Sequence, residues 1–127
     1  MDCIVRLDDI GVTRGNGHIL RNVNWTVRRG ENWAVLGGNG SGKSFLLNVV
    51  SSGLFPSSGR VELFGMRLGE TDVWKLRGRI GMVSDLLQRS YNERTVVEEA
   101  ICSGFFWTIG FSREFSETTR RSARMAV

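Results

Sequence analysis

Residues 37–44 read Gly-Gly-Asn-Gly-Ser-Gly-Lys-Ser, the spacing G-x-x-x-x-G-K-[ST] of a phosphate-binding loop. No other stretch of the chain constrains the fold as much. The chemistry explains the residue types. Gly37, Gly40 and Gly42 let the backbone curl until several N–H groups point at one spot, an anion nest. Lacking Cβ atoms, they also admit phosphate oxygens at close range. Gly38, Asn39 and Ser41 complete the loop. Lys43 is placed to reach the outer phosphates of a nucleotide, and Ser44 offers a hydroxyl to Mg²⁺. Such a loop must open a helix, whose N-terminus adds partial positive charge.

The flanks meet that requirement. Residues 32–36, Asn-Trp-Ala-Val-Leu, form a short apolar run that predicts a buried strand. Phe45, Leu46, Leu47, Val49 and Val50 give the following segment an apolar helical face. Strand, glycine loop, helix is the order the motif needs. The chain has only two lysines, Lys43 and Lys75, and one of them fills the lysine slot.

Before the loop, residues 3–8 predict an opening strand and residues 11–17 a turn rich in Gly and Asn. Residues 23–27 alternate with period two, a half-buried strand. Residues 28–31, Arg-Arg-Gly-Glu, predict the hairpin turn back to strand 32–36. After the loop helix, residues 60–64 alternate again and Gly65 closes them. A short helix is expected over 71–76, a parallel core strand over 80–83 and a polar loop over 84–94. Thr95 to Glu98 fits the box S/T-x-x-E and predicts a helix start. Ser116 and Glu117 open a last helix.

With 127 residues the chain is one domain at most. The net charge is +4, nearly all of the positive charge being arginine. Two readings stand, an anionic partner or scattered surface arginine. The arginines lie in almost every segment with no stripe beyond Arg28-Arg29 and Arg120-Arg121, so no specific nucleic-acid partner is indicated. Cys3 and Cys102 lie far apart, there is no Cys-x-x-Cys, and His18 is the only histidine. A zinc site is not expected, and two free thiols are. The apolar-leaning stretch 100–111 is short for a membrane span and is broken by Ser103, Gly104 and Gly110. A guanine-reading N-K-x-D is absent, which argues against a GTPase.

Four segments together carry a resemblance. Residues 20–31, 36–44, 58–65 and 79–84 are similar, in order and spacing, to the N-terminal half of an ATP-binding cassette (ABC) ATPase domain. Trp25, Trp33 and residues 103–106 resemble cassettes related to molybdate-uptake ATP-binding subunits. The resemblance implies an α/β fold: the N-terminal part of a P-loop NTPase core with a small antiparallel β subdomain. Residues 1–104 or so would be that core, and about 105–127 the start of a truncated helical subdomain. It implies ATP and Mg²⁺ as cofactors, with residues 37–44 and Phe45 around the nucleotide. A second ABC domain is the implied partner, a membrane permease a further one, and the cytoplasm the implied location. The implied task is to couple ATP binding and hydrolysis to transport or another conformational task. The alternative is a nucleotide-binding module that does not hydrolyse.

Three positions depart from the family pattern. Asp85 stands where a glutamine usually helps hold Mg²⁺, and it is either a Mg²⁺ ligand beside Ser44 or a solvated loop acid. Phe45 replaces a threonine and loses a hydroxyl contact to phosphate. The base-stacking aromatic is absent, and Arg14 or Thr13 occupies its region. Arg14 either stacks on the base through its planar guanidinium or is a surface arginine. The signature and catalytic glutamate of the family have no counterpart in residues 1–127, and Glu98 and Glu99 read as solvated helix surface.

Overall fold

The computed structural model describes residues 2–106, 108–109 and 115–125; the end of the apolar stretch, at 110–111, lies outside them. The chain forms two compact units, Met1–Leu76 and Arg77–Val127.

The first unit is built on an antiparallel sheet. β1 (Cys3–Arg14) pairs with β2 (Gly17–Arg28) on one side and with β3 (Ser58–Leu63) on the other. β4 (Met66–Arg67) adds the far edge, giving the order β2-β1-β3-β4. The turn expected over 11–17 is much tighter: both strands run on to Gly15-Asn16. The reason is a bulge that lets pairing resume. Asp9 and Asn22 take positive φ, 55° and 49°, which their short polar side chains tolerate. Asn22 Nδ2 donates to Asp9 Oδ1 at 2.6 Å, and the Asp9 N–H donates to Asn24 Oδ1 at 2.9 Å. These bonds stand in for ladder bonds, and the strands pair again from Ile10↔Val23 to Arg14↔Gly17. Phe64 and Gly65, at φ 54° and 76°, form the primed turn between β3 and β4.

Leu7, Ile10, Val12, Val61 and Leu63 of the sheet are buried. α1 (Lys43–Val50) packs on β2 and β3 and buries Val49 completely. Each such side chain contributes about 1.5–3 kcal/mol through removal from water. α2 (Val73–Arg77) falls where a helix was expected, with Asp72 Oδ1 accepting from the Trp74 N–H at 3.0 Å.

Two expected core strands are corrected. Residues 31–38 and 80–83 lie outside helix and strand, and Leu36 is 90% and Val83 100% exposed. Both runs have the right apolar composition. A parallel strand, however, is made by ladder bonds to a neighbour, and neither run has one among the described residues. The expected hairpin over 28–31 therefore has no return strand.

In the second unit the polar loop 84–94 contains a short helix, α3 (Asp85–Arg89), capped by Ser84 Oγ accepting from the Leu87 N–H at 3.1 Å. α4 (Val97–Gly104) begins after Val96 with no side-chain cap, so the Thr95–Glu98 capping box is not made. Glu98 instead binds Arg120 at 3.2 Å and Arg124 at 3.4 Å on α5 (Glu117–Met125), which corrects its reading as solvated surface. Cys102 and Ala123 are buried in this unit.

Gly59 and Gly15 offer a matched test. Both have positive φ, 90° and 54°. A Cβ at Gly59 meets the Asp9 and Asp8 carbonyl oxygens at 2.4 and 2.6 Å, whereas one at Gly15 meets nothing within 4 Å. Gly15→Ala should cost about 1–2 kcal/mol from backbone conformation alone. Gly59→Ala should cost more than about 3 kcal/mol, because rigid backbone must also move. Urea unfolding of the two variants measures the difference; equal costs would contradict the close approach of β3 to the β1 bulge.

Candidate functional site

The chain leaves β2 through a small polar knot. Glu31 Oε2 accepts from the Arg28 N–H at 2.8 Å and from Trp33 Nε1–H at 3.0 Å. Trp33 packs edge-on against Trp25, with ring centroids 5.6 Å apart and planes at 81°. The chain is thus directed toward residues 37–44 without a strand.

There the backbone curls. Gly40 and Gly42 have φ of 80° and 91°, values that L side chains adopt only under strain. The Ser41 N–H donates to the Gly38 carbonyl at 3.3 Å, closing a turn inside the loop. At Gly37 the loop folds so tightly that a Cβ would sit 2.6 Å from Ser41 Oγ. Lys43 turns its ammonium back over the loop, donating to the Gly37 and Gly38 carbonyls at 2.7 Å each and to Ser41 Oγ at 3.3 Å. Asn39 lies at the exposed tip beside Gly38 and Gly40.

Gly42 is the N-cap of α1, in the left-handed conformation and without a side-chain cap bond. The first N–H groups of a helix have no intrahelical acceptor. A glycine cap has no side chain to satisfy them, so the first-turn amides are left uncapped at the helix start that carries Lys43. Such a donor set, with its helix dipole, suits an anion. Ser44 is exposed next to it. This arrangement fits the phosphates of a nucleotide, and the Ser44 hydroxyl fits a Mg²⁺ ligand.

The loop is held from below by β2, a support that the sequence reading missed. A Cβ at Gly42 would meet Leu20 Cδ2 at 2.7 Å and the Ile19 carbonyl at 3.1 Å. Leu20 is buried and pairs with Val12 across the sheet. Ile19 and Leu20 are simply apolar in the sequence, and nothing in that points to a glycine more than twenty residues away.

Arg14 and Phe45 come together. The Arg14 Cζ lies over the Phe45 ring, 5.5 Å from its centroid, a cation–π contact. Asp85 belongs to the second unit, exposed at the first position of α3. There its charge favours the helix N-terminus.

The comparisons with known proteins follow this geometry. A family model described as ABC transporter matches residues 20–126. The chain belongs to the ABC transporter family of ATP-binding cassettes. It is 37% identical over 94% of its length to YlmA, an ABC transporter ATP-binding protein of Bacillus subtilis, covering 46% of that protein. It is 39% identical over 81% of its length to the ABC transporter ATP-binding protein ModF of Escherichia coli, covering 21% of it. Among solved structures, a dimeric post-hydrolysis state of the ATP-binding cassette MJ0796 bound to ADP and Pi matches with a TM-score of 0.76. That match has 24% identity and covers 96% of this chain and 55% of that one, and it shows the cassette fold. The chain spans about half or less of the length of the curated relatives it matches. No helix among the described residues is long and apolar enough to cross a membrane.

The knot before the loop gives a pH prediction. The Glu31 carboxyl is held below the usual range, first by the Arg28 N–H and then by the Trp33 indole. A depressed carboxylate contributes its stabilisation fully above the ordinary Glu pKa and loses it as pH falls through the lowered folded value. The Trp33 indole resonance should therefore titrate with a midpoint below the ordinary Glu value, and Glu31→Gln should abolish that midpoint. A midpoint at the ordinary value would contradict the knot.

Proposed function

We propose that residues 37–44, with Phe45 and Arg14 beside them, bind Mg²⁺-ATP. In the complete protein this site would couple ATP binding and hydrolysis to transport or another conformational task. The observation that carries this reading is the loop itself: two left-handed glycines, an uncapped helix start and a lysine folded over the same spot. The backbone amides and Lys43 would hold the phosphates. Ser44, with Asp85 as a second candidate, would hold Mg²⁺, which when bound neutralises charge on the β- and γ-phosphates. A second cassette domain is the proposed partner, supported by the dimeric form of the matched cassette. A membrane permease is the further partner, and a cytoplasmic site beside it the location. The division into a core over about 1–104 and the start of a helical part from about 105 belongs to the same proposal.

One observation favours the second reading for this chain by itself, binding without hydrolysis. Glu98, an acid in the first turn of α4, is tied to Arg120 and Arg124. Each of its two oxygens faces a guanidinium of α5, so the carboxylate is engaged in holding α4 to α5 rather than in orienting a water. Hydrolysis also needs a residue that orients the attacking water.

Titration with a fluorescent ATP analogue tests the site. Lys43→Ala should lose most of the binding, about tenfold or more for a charged hydrogen-bonding group; equal binding by both forms would sink the assignment. Asp85→Asn should weaken Mg²⁺-dependent binding and leave Mg²⁺-free binding unchanged. Equal effects on both, or none, would make Asp85 a solvated helix-start acid. Phosphate release by the purified chain should stay at background. Turnover abolished by Lys43→Ala would show that the chain carries its own catalytic base.

A further inference from the structure

We infer that Arg14 is a phosphate-side cation of the nucleotide site, held there by Phe45. The inference rests on the reading of residues 37–44 as that site and gives Arg14 a ligand partner different from a base.

Arg14 is the last residue of β1, at the hairpin turn. Its guanidinium stands over Phe45, the third residue of α1 and the one directly after Ser44. The charge therefore stands over a side chain of the helix's first turn, the turn whose amides lack intrahelical acceptors. The same hairpin packs close to the loop, since Leu20 and the Ile19 carbonyl fill the space a Cβ at Gly42 would need. Among the described residues the Arg14 side chain enters no ion pair or hydrogen bond, and its guanidinium lies over the ring. Among those residues its donors are unspent and no carboxylate pairs with it. The Lys43 ammonium, by contrast, bonds three oxygens of its own loop.

The chemistry favours phosphate. A guanidinium above a ring is attracted through its face and keeps N–H groups at its rim for an anion. Its fork matches two phosphate oxygens at once. Phe45 has no hydroxyl to give to phosphate, and Arg14 supplies a donor at the same end of the helix. The aromatic ring and the arginine thus act as a pair: one removes a hydrogen-bond donor, the other restores a charged one.

Inorganic tripolyphosphate separates the two roles open to Arg14, because it has phosphates and no base. Isothermal titration of tripolyphosphate and of Mg²⁺-ATP is compared for the unmodified chain, Arg14→Ala, Arg14→Lys, Phe45→Leu and Lys43→Ala. Arg14→Ala should weaken both ligands by a similar factor, about tenfold for a charge-assisted contact. Arg14→Lys should recover part of the loss, since the charge remains but the fork does not. Phe45→Leu should weaken both ligands less than Arg14→Ala does, because it frees the guanidinium without removing it. Arg14→Ala with unchanged tripolyphosphate affinity overturns the inference, even if ATP binding falls, since the loss then lies on the base side. Should Arg14→Ala fail to fold by circular dichroism, Arg14→Lys with unchanged affinity for both ligands overturns it. Tripolyphosphate binding that is absent, or indifferent to Lys43→Ala, overturns the phosphate-loop reading and this inference with it. Binding sensitive to Lys43 and indifferent to Arg14 overturns this inference alone.

Discussion

The contact between β2 and Gly42 sets the geometry of the first unit's functional end. Leu20 Cδ2 and the Ile19 carbonyl occupy the space a side chain at 42 would need. Only glycine fits there, and only glycine accepts φ of 91° without strain. The helix can then begin at Lys43 with its first amides uncapped. The same contact joins the phosphate loop to a sheet whose buried residues include Leu7 and Ile10 of β1, Leu20 of β2 and Val61 and Leu63 of β3. The stability of the sheet is therefore also the preorganisation of the loop. A loop that is already curled spends less of its interaction with an anion on ordering itself.

The phosphate loop was legible in the sequence because glycine, lysine and serine at fixed spacing have few other uses. The following helix was legible through its apolar face, and α2 and α5 through their polar starts. Boundaries governed by side-chain bonds were not. The Asp9–Asn22–Asn24 cluster extends the first hairpin to Gly15, and no periodicity announces it. Likewise Ser84 starts α3 inside a stretch polar enough to read as loop. Residues 32–36 and 80–83 failed for a different reason. Their apolar composition was read correctly, but strand structure belongs to a pair of segments, and no second segment lies beside either among the described residues.

The departures from the cassette pattern gain sense in pairs. Arg14 and Phe45 each looked like a loss when taken singly, a missing aromatic and a missing hydroxyl. In the structure they touch, and the pair keeps a cation at the end of the helix where phosphate is expected. Sequence alone separates them by thirty-one residues, and only the hairpin turn at Gly15-Asn16 brings them together. Asp85 is accounted for locally by its place at the start of α3, where a negative charge is favourable with or without a metal.

The central claim is that the curled loop is itself the anion receptor. Backbone amide chemical shifts, recorded for the ¹⁵N-labelled chain as Mg²⁺-ATP is added, test it most directly. The account predicts large shifts for the amides of Gly40, Ser41, Gly42, Lys43, Ser44 and Phe45, with small shifts along β3 and α5. Saturable shifts confined to other segments, or none at Gly42 to Phe45, would contradict it.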